Sequence, residues 1–130
     1  MKNKDIYNGA LRILAESGDE CANEDYEERA PYIIAAFCCE ASDFDARYRY
    51  ANSLPAPDKV NEVYVELSSD FTCAPRFSTA ACMYLASMLV MDSDPELSDK
   101  LFDRYSDIMS AICSEIPAVT ESFADRYRFV

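Results

Sequence analysis

Ser78-Thr-Ala-Ala-Cys-Met-Tyr-Leu-Ala-Ser-Met-Leu-Val-Met91 is apolar around nearly its whole circumference, and Asp92-Ser-Asp-Pro-Glu-Leu97 follows it at once. A helix with no polar face must be surrounded by protein, so this segment predicts a central helix, with Ser78 as its cap and Asp92-Ser93 closing it. The next helix opens with a strong start signal. Asp94 is the cap, Pro95 occupies the first helical position where its missing donor costs nothing, and Glu96 faces the positive end of the dipole. Apolar residues then recur at Leu97, Leu101, Tyr105, Ile108, Ile112 and Ile116, and Pro117 marks the end. The two segments together read as a helical hairpin.

Upstream, Tyr7, Ala10, Leu11 and Leu14 fall on one face of a helix over residues 5–16, with Gly18 placed for a left-handed cap. A second helix runs through Tyr26, Ala30, Ile33, Ile34, Phe37 and Ala41, capped by Asn23 or Asp25. Pro31 interrupts this pattern and predicts a kink within one long helix rather than a late start. Two prolines in Asn52-Ser-Leu-Pro-Ala-Pro-Asp58 end that helix by Ala51. In residues 59–77, Val63, Val65 and Leu67 alternate with more polar neighbours, a pattern that fits an extended or hairpin-like crossing between two helical pairs. The reading is all-α: four to five helices in an antiparallel bundle, a single domain over residues 1–116, and a C-terminal tail over 117–130.

The chain has 130 residues, half of them apolar, with seven Phe and nine Tyr, enough to offset the entropy of ordering one domain. A net charge of -12 repels phosphate backbones, which argues against a nucleic-acid grip. The N-terminal sequence lacks the apolar stretch of a signal peptide, and no run reaches the eighteen or so apolar residues of a membrane span; the expectation is a chain that is neither secreted nor membrane-bound. Six cysteines (Cys21, Cys38, Cys39, Cys73, Cys82, Cys113) then read as reduced core residues, with redox or zinc chemistry the lesser alternative.

Catalytic material is scarce. There is no histidine, which removes the commonest general base, and two glycines, at 9 and 18, cannot build a phosphate-cradling loop. Carboxylates remain. Glu24 and Glu27 form an ExxE, and Asp99, Asp103 and Asp107 lie four apart, a pattern loosely similar to the all-α nucleoside triphosphate pyrophosphohydrolases that bind magnesium. The plainer reading is an ion-paired solvent face, with Lys100 placed against Glu96 and Asp103 and Arg104 against Asp107. No metal and no cofactor is expected.

The segment 117–130 combines Arg126 and Arg128 with Phe123, Tyr127, Phe129 and Val130, the residue types that carry interface energy. It reads either as an insertion into a partner or as a cover for its own core.

Ile6-Tyr-Asn-Gly-Ala-Leu-Arg-Ile-Leu14, Asp25-Tyr-Glu-Glu-Arg-Ala30, and Tyr84-Leu-Ala-Ser-Met-Leu-Val-Met-Asp-Ser-Asp-Pro-Glu-Leu97 with Phe102-Asp-Arg-Tyr105 resemble the small helical head-tail adaptor proteins of tailed bacteriophages and prophages. The resemblance spans Ile6 to Ile116. It implies a non-enzymatic subunit that forms a ring beneath the portal, extends the DNA channel, and offers a platform to the next tail component. It places the chain in the bacterial host cytoplasm during assembly and then in the virion neck. By the same resemblance Phe123, Arg126, Tyr127, Arg128, Phe129 and Val130 contact the portal, and Asp99, Asp103, Arg104 and Asp107 serve neighbouring subunits in a head-to-tail ring. An unassigned helical interaction module is the third alternative beside connector and hydrolase.

Overall fold

A computed structural model describes residues 1–16, 24–57 and 62–116. The described residues form four α-helices and no strand: α1 (Asn3–Glu16), α2 (Glu24–Ala51), α3 (Ser78–Leu89) and α4 (Pro95–Cys113), with a single 3-10 turn, Pro75–Phe77, leading into α3. The chain is therefore all-α.

α3 packs against α1, α2 and α4 together. That is why it has no polar face: Ala80, Ala81, Tyr84, Leu85, Ala86, Ser87 and Leu89 are all buried. Phe37 of α2, Ile6 and Leu14 of α1, Ile112 of α4, and Phe77 complete the centre of the core. Small residues allow close approach on two sides. A Cβ added at Gly9 would lie 2.7 Å from Cys82 Sγ, so the glycine sets the spacing of α1 and α3. Between α3 and α4, the Ser87 hydroxyl donates to the Ser98 carbonyl at 2.9 Å and the Ser98 hydroxyl donates to the Ser87 carbonyl at 2.9 Å. Both serines are buried, and this exchange across the short 90–94 connection makes α3 and α4 an antiparallel hairpin.

α2 runs unbroken through Pro31, as expected of one long helix. α4 opens as its start signal predicts, with Asp94 accepting a hydrogen bond from Leu97 N at 3.2 Å. Ser78 is not a cap. The 3-10 turn feeds α3 directly, so Phe77 is the capping position and Ser78 is already helical. α4 ends at Cys113, before Pro117, and the chain tightens there through Glu115 N to Ile112 O and Ile116 N to Cys113 O. Gly18, Cys21, Asn23 and the 117–130 tail lie outside the described residues.

Among the described residues, 62–77 form no paired hairpin strands, and the crossing turns at Glu66–Ser69 before the 3-10 turn. The period-2 pattern does not hold either, because Val65 is buried while Val63 is 82% exposed. The segment is pinned residue by residue and not by a ladder. Asn3 N and Lys4 N, at the N-terminus of α1 where helical donors have no internal partner, donate to Ser69 O and Leu67 O at 2.9 Å each. Phe71 N donates to Met1 O, and Lys2 and Asp70 form one isolated bridge with an ion pair at 2.8 Å. The far end is held by Asp45 on α2. Its carboxylate accepts from Ala74 N at 2.8 Å and pairs with Arg49 at 3.0 Å, and Arg49 donates on to Pro55 O and Thr72 O.

Candidate functional site: an aromatic face with an acidic margin

The spacing of α2 divides its aromatic residues. Tyr26, Ala30, Ile34, Phe37 and Ala41 form the buried stripe, and Tyr32, Ile33 and Ala36 fall off it toward solvent. Across from them on α3, the buried Tyr84 and the half-buried Met88 close the other wall. Tyr32, Ile33, Ala36, Tyr84 and Met88 line an open groove of about 550 Å³, with Glu28 and Arg29 at its margin.

Aromatic rings extend the groove in both directions. Tyr32 meets Tyr64 of the crossing segment edge-on, with centroids 5.1 Å apart. Tyr84 meets Tyr105 at 5.2 Å, and Tyr105 meets Phe102 at 5.3 Å. Phe37 sits behind Tyr84 and Tyr105 at 5.7 and 6.1 Å, which ties the surface rings to the core. Tyr32, Tyr64 and Phe102 all remain exposed. The strip thus runs from exposed rings at its two ends through the buried Tyr84 and the half-buried Tyr105 between them.

The charges around it are mostly negative. Burial pushes the Tyr84 hydroxyl up to about 12, and the Glu40 carboxylate beside it adds to the shift. The same two causes raise Tyr105. Both rings are therefore neutral hydrogen-bonding groups over the whole ordinary pH range. The Arg29 guanidinium donates to Leu89 O at 2.6 Å and pairs with Asp25 at 3.2 Å, so its charge is already offset. On α4, the exposed Phe102 shares a helical face with Asp99, three residues before it.

Asp99, Asp103, Arg104 and Asp107 are all exposed on α4. The ion pairs foreseen along that row are not formed: neither Lys100 nor Arg104 takes part in one among the described residues. Exposed long side chains gain too little from such pairs to hold one geometry against their own entropy. Glu24 and Glu27 line a separate open pocket with Lys4, Glu28, Tyr64 and Glu66, to which the Asp99 row contributes nothing. Among the described residues, no group of three or more carboxylates or thiols is placed to hold a metal ion. The tail residues Phe123, Arg126, Tyr127, Arg128, Phe129 and Val130 lie outside the described residues.

Sequence reasoning missed the face as a unit. Tyr84 and Tyr105 were legible only as apolar positions, and the one signal for Tyr32, its offset from the buried stripe, went unread. A second feature was also missed. Cys38 of α2 and Cys73 of the crossing segment are brought side by side in a cleft of about 280 Å³ that Asp45 and Thr72 also line. The hydrogen bond from Cys73 pulls the Cys38 thiol down to about 7 against the opposing effect of burial, while that bond and burial push Cys73 up. No described cysteine is in a disulfide.

No helix among the described residues is long and apolar enough to cross a membrane. No family model matches the sequence, and no solved structure matches it. The chain is 28% identical over 106 residues to Rho GTPase-activating protein 7 of the dog, Canis lupus familiaris, a match that covers 79% of this chain and spans 8% of the length of that protein.

Proposed function

We propose that this chain is a non-enzymatic head-tail adaptor subunit of a tailed bacteriophage or prophage, which binds the portal and joins a ring that extends the DNA channel. The observation that carries the reading is the aromatic strip from Tyr64 to Phe102, a surface that a subunit of an assembly needs and a solitary enzyme does not. The resemblance of residues 6–116 to such adaptors supplies the kind of assembly. A net charge of -12 suits a conduit through which DNA slides without sticking. In this reading the ring closes by heterologous contacts between unlike faces, with Asp99, Asp103, Arg104 and Asp107 at one of them. Phe123 to Val130 reach the portal, and the working locations are the host cytoplasm and then the virion neck. The match to the dog protein, on so small a fraction of that chain, carries nothing into this reading.

The test is the mass of the full-length chain alone and mixed with the portal ring of its own phage, by light scattering behind a sizing column. Co-elution that is lost in an Arg126→Ala/Phe129→Ala variant is the expected outcome. Absence of any association with the portal would overturn the adaptor role.

A further inference from the structure

The groove between α2 and α3 offers an apolar floor of Ile33, Ala36 and Met88 between the rings of Tyr32 and Tyr84. Carboxylates stand at both ends: Glu28 lines it directly, and Glu40 lies against Tyr84. The cation nearest the groove, Arg29, is held by Asp25 and the Leu89 carbonyl. An occupant must therefore be apolar in the middle and basic beside it.

Two segments of the sequence fit that description, and one of them, Arg47-Tyr-Arg-Tyr50, is wound into α2 and cannot be the occupant. Arg126-Tyr-Arg-Phe-Val130 alternates arginine with an aromatic residue, so an extended backbone would present Tyr127 and Phe129 to one side and Arg126 and Arg128 to the other. Outside the described helices it is the one such run in a chain of 24 acidic and 12 basic residues. A cleft of about 550 Å³ also lies within the range of roughly 300–1,000 Å³ typical of sites that bury a ligand of a few side chains.

We propose that this groove is the seat of the chain's own 126–130 segment, with Tyr127 and Phe129 entering between Tyr32 and Tyr84 and the arginines meeting Glu28 and Glu40. Reach is sufficient. Arg126 lies ten positions beyond Ile116, about 33 Å when extended, whereas Glu115 pairs with Arg76 just before α3 and Met88 lies only about 18 Å further along that helix. Attachment also favours the chain's own segment over that of a second copy, because a short tether gives an effective concentration in the millimolar range. The seating stands apart from the adaptor reading; only its consequence rests on it. If the portal takes the same residues, portal binding uncovers the groove, and the aromatic face becomes available to the neighbouring subunit only on the assembling particle.

The test uses the full chain with Phe129→p-benzoylphenylalanine, irradiated at low micromolar concentration and mapped by mass spectrometry after proteolysis. An equal mixture of nitrogen-15-labelled and unlabelled protein identifies which copy supplies each half of a cross-link. The expected result is cross-linking to the peptides holding Tyr32–Ala36 or Met88, with both halves of each product carrying the same isotope. Products pairing the two isotopes would overturn the own-chain seat in favour of a second copy, and cross-links elsewhere, or none, would overturn the groove itself. Ala36→Arg, at an exposed position that leaves the core intact, should lower the groove cross-link at least fivefold; an unchanged yield also overturns the proposal. Intact cross-linking with no portal co-elution would remove the adaptor role and leave the seating in place.

Discussion

At the scale of single residues, the Cys38–Cys73 pair and the Asp45–Arg49 pair both fasten the crossing segment to α2, and each has a measurable signature. The hydrogen bond from Cys73 holds the folded Cys38 thiol down to about 7, below the ordinary thiol range. Between about pH 7 and 9 the unfolded chain thus binds more protons at this site than the folded one, and stability rises with pH. Above pH 9 the sign reverses, because Cys73 and Cys82, the latter pushed up to about 11 by burial, stay protonated in the fold after their unfolded counterparts ionise. Urea midpoints should climb from pH 7 to 8.5 and fall beyond 9, and Cys38→Ser should abolish the climb. Iodoacetamide at pH 7.5 should label Cys38 ahead of Cys82 and Cys113, both of which burial raises. Asp45 is 2% exposed and holds two donors, so Asp45→Ala removes the charge partner of the half-buried Arg49 and leaves the Ala74 N–H without its acceptor. We expect a loss of about 3 kcal/mol in urea unfolding. None of this was legible in the sequence. Thirty-five positions separate Cys38 from Cys73, and no local pattern announces a partner that only the path of the connection supplies.

At the scale of elements, legibility followed how local the determining forces are. The start of α4 is set by Asp94, Pro95 and Glu96 alone and was read correctly; Asp94→Ala should cost about 1 kcal/mol of stability by denaturant titration. The start of α3 was misassigned because Pro75 and Phe77 wind a 3-10 turn that the serine signal does not encode. The start of α1 was placed two residues late, since Asn3 and Lys4 become helical only when the distant carbonyls of Ser69 and Leu67 accept their donors. Gly9 tests the spacing between α1 and α3. Gly9→Ala improves helix propensity by about 1 kcal/mol, yet its Cβ meets Cys82 Sγ at 2.7 Å. The single change should be neutral or destabilising, and in a Cys82→Ala background it should stabilise by about 1 kcal/mol, a coupling that a double-mutant cycle reads directly.

At the scale of the molecule, the all-α class and the central helix were legible because periodicity reports burial, and burial here is dominated by one helix enclosed by three others. The aromatic face was not, because a tyrosine that closes the core and one that waits on the surface look alike in a periodic pattern. Whole-molecule charge gives a separate expectation. A chain at -12 is strained by its own repulsion, so raising sodium chloride from 20 to 300 mM should increase the thermal midpoint by a few degrees in calorimetry. The reciprocal serine exchange between Ser87 and Ser98 bears on how the molecule would move as a whole. Sliding α3 along α4 by even one residue would break both bonds at once and leave two buried hydroxyls without partners, so the hairpin has one favoured register. Two helices clasped in this way form a strut, held in register by its own serines and not only by the greasy contacts around them.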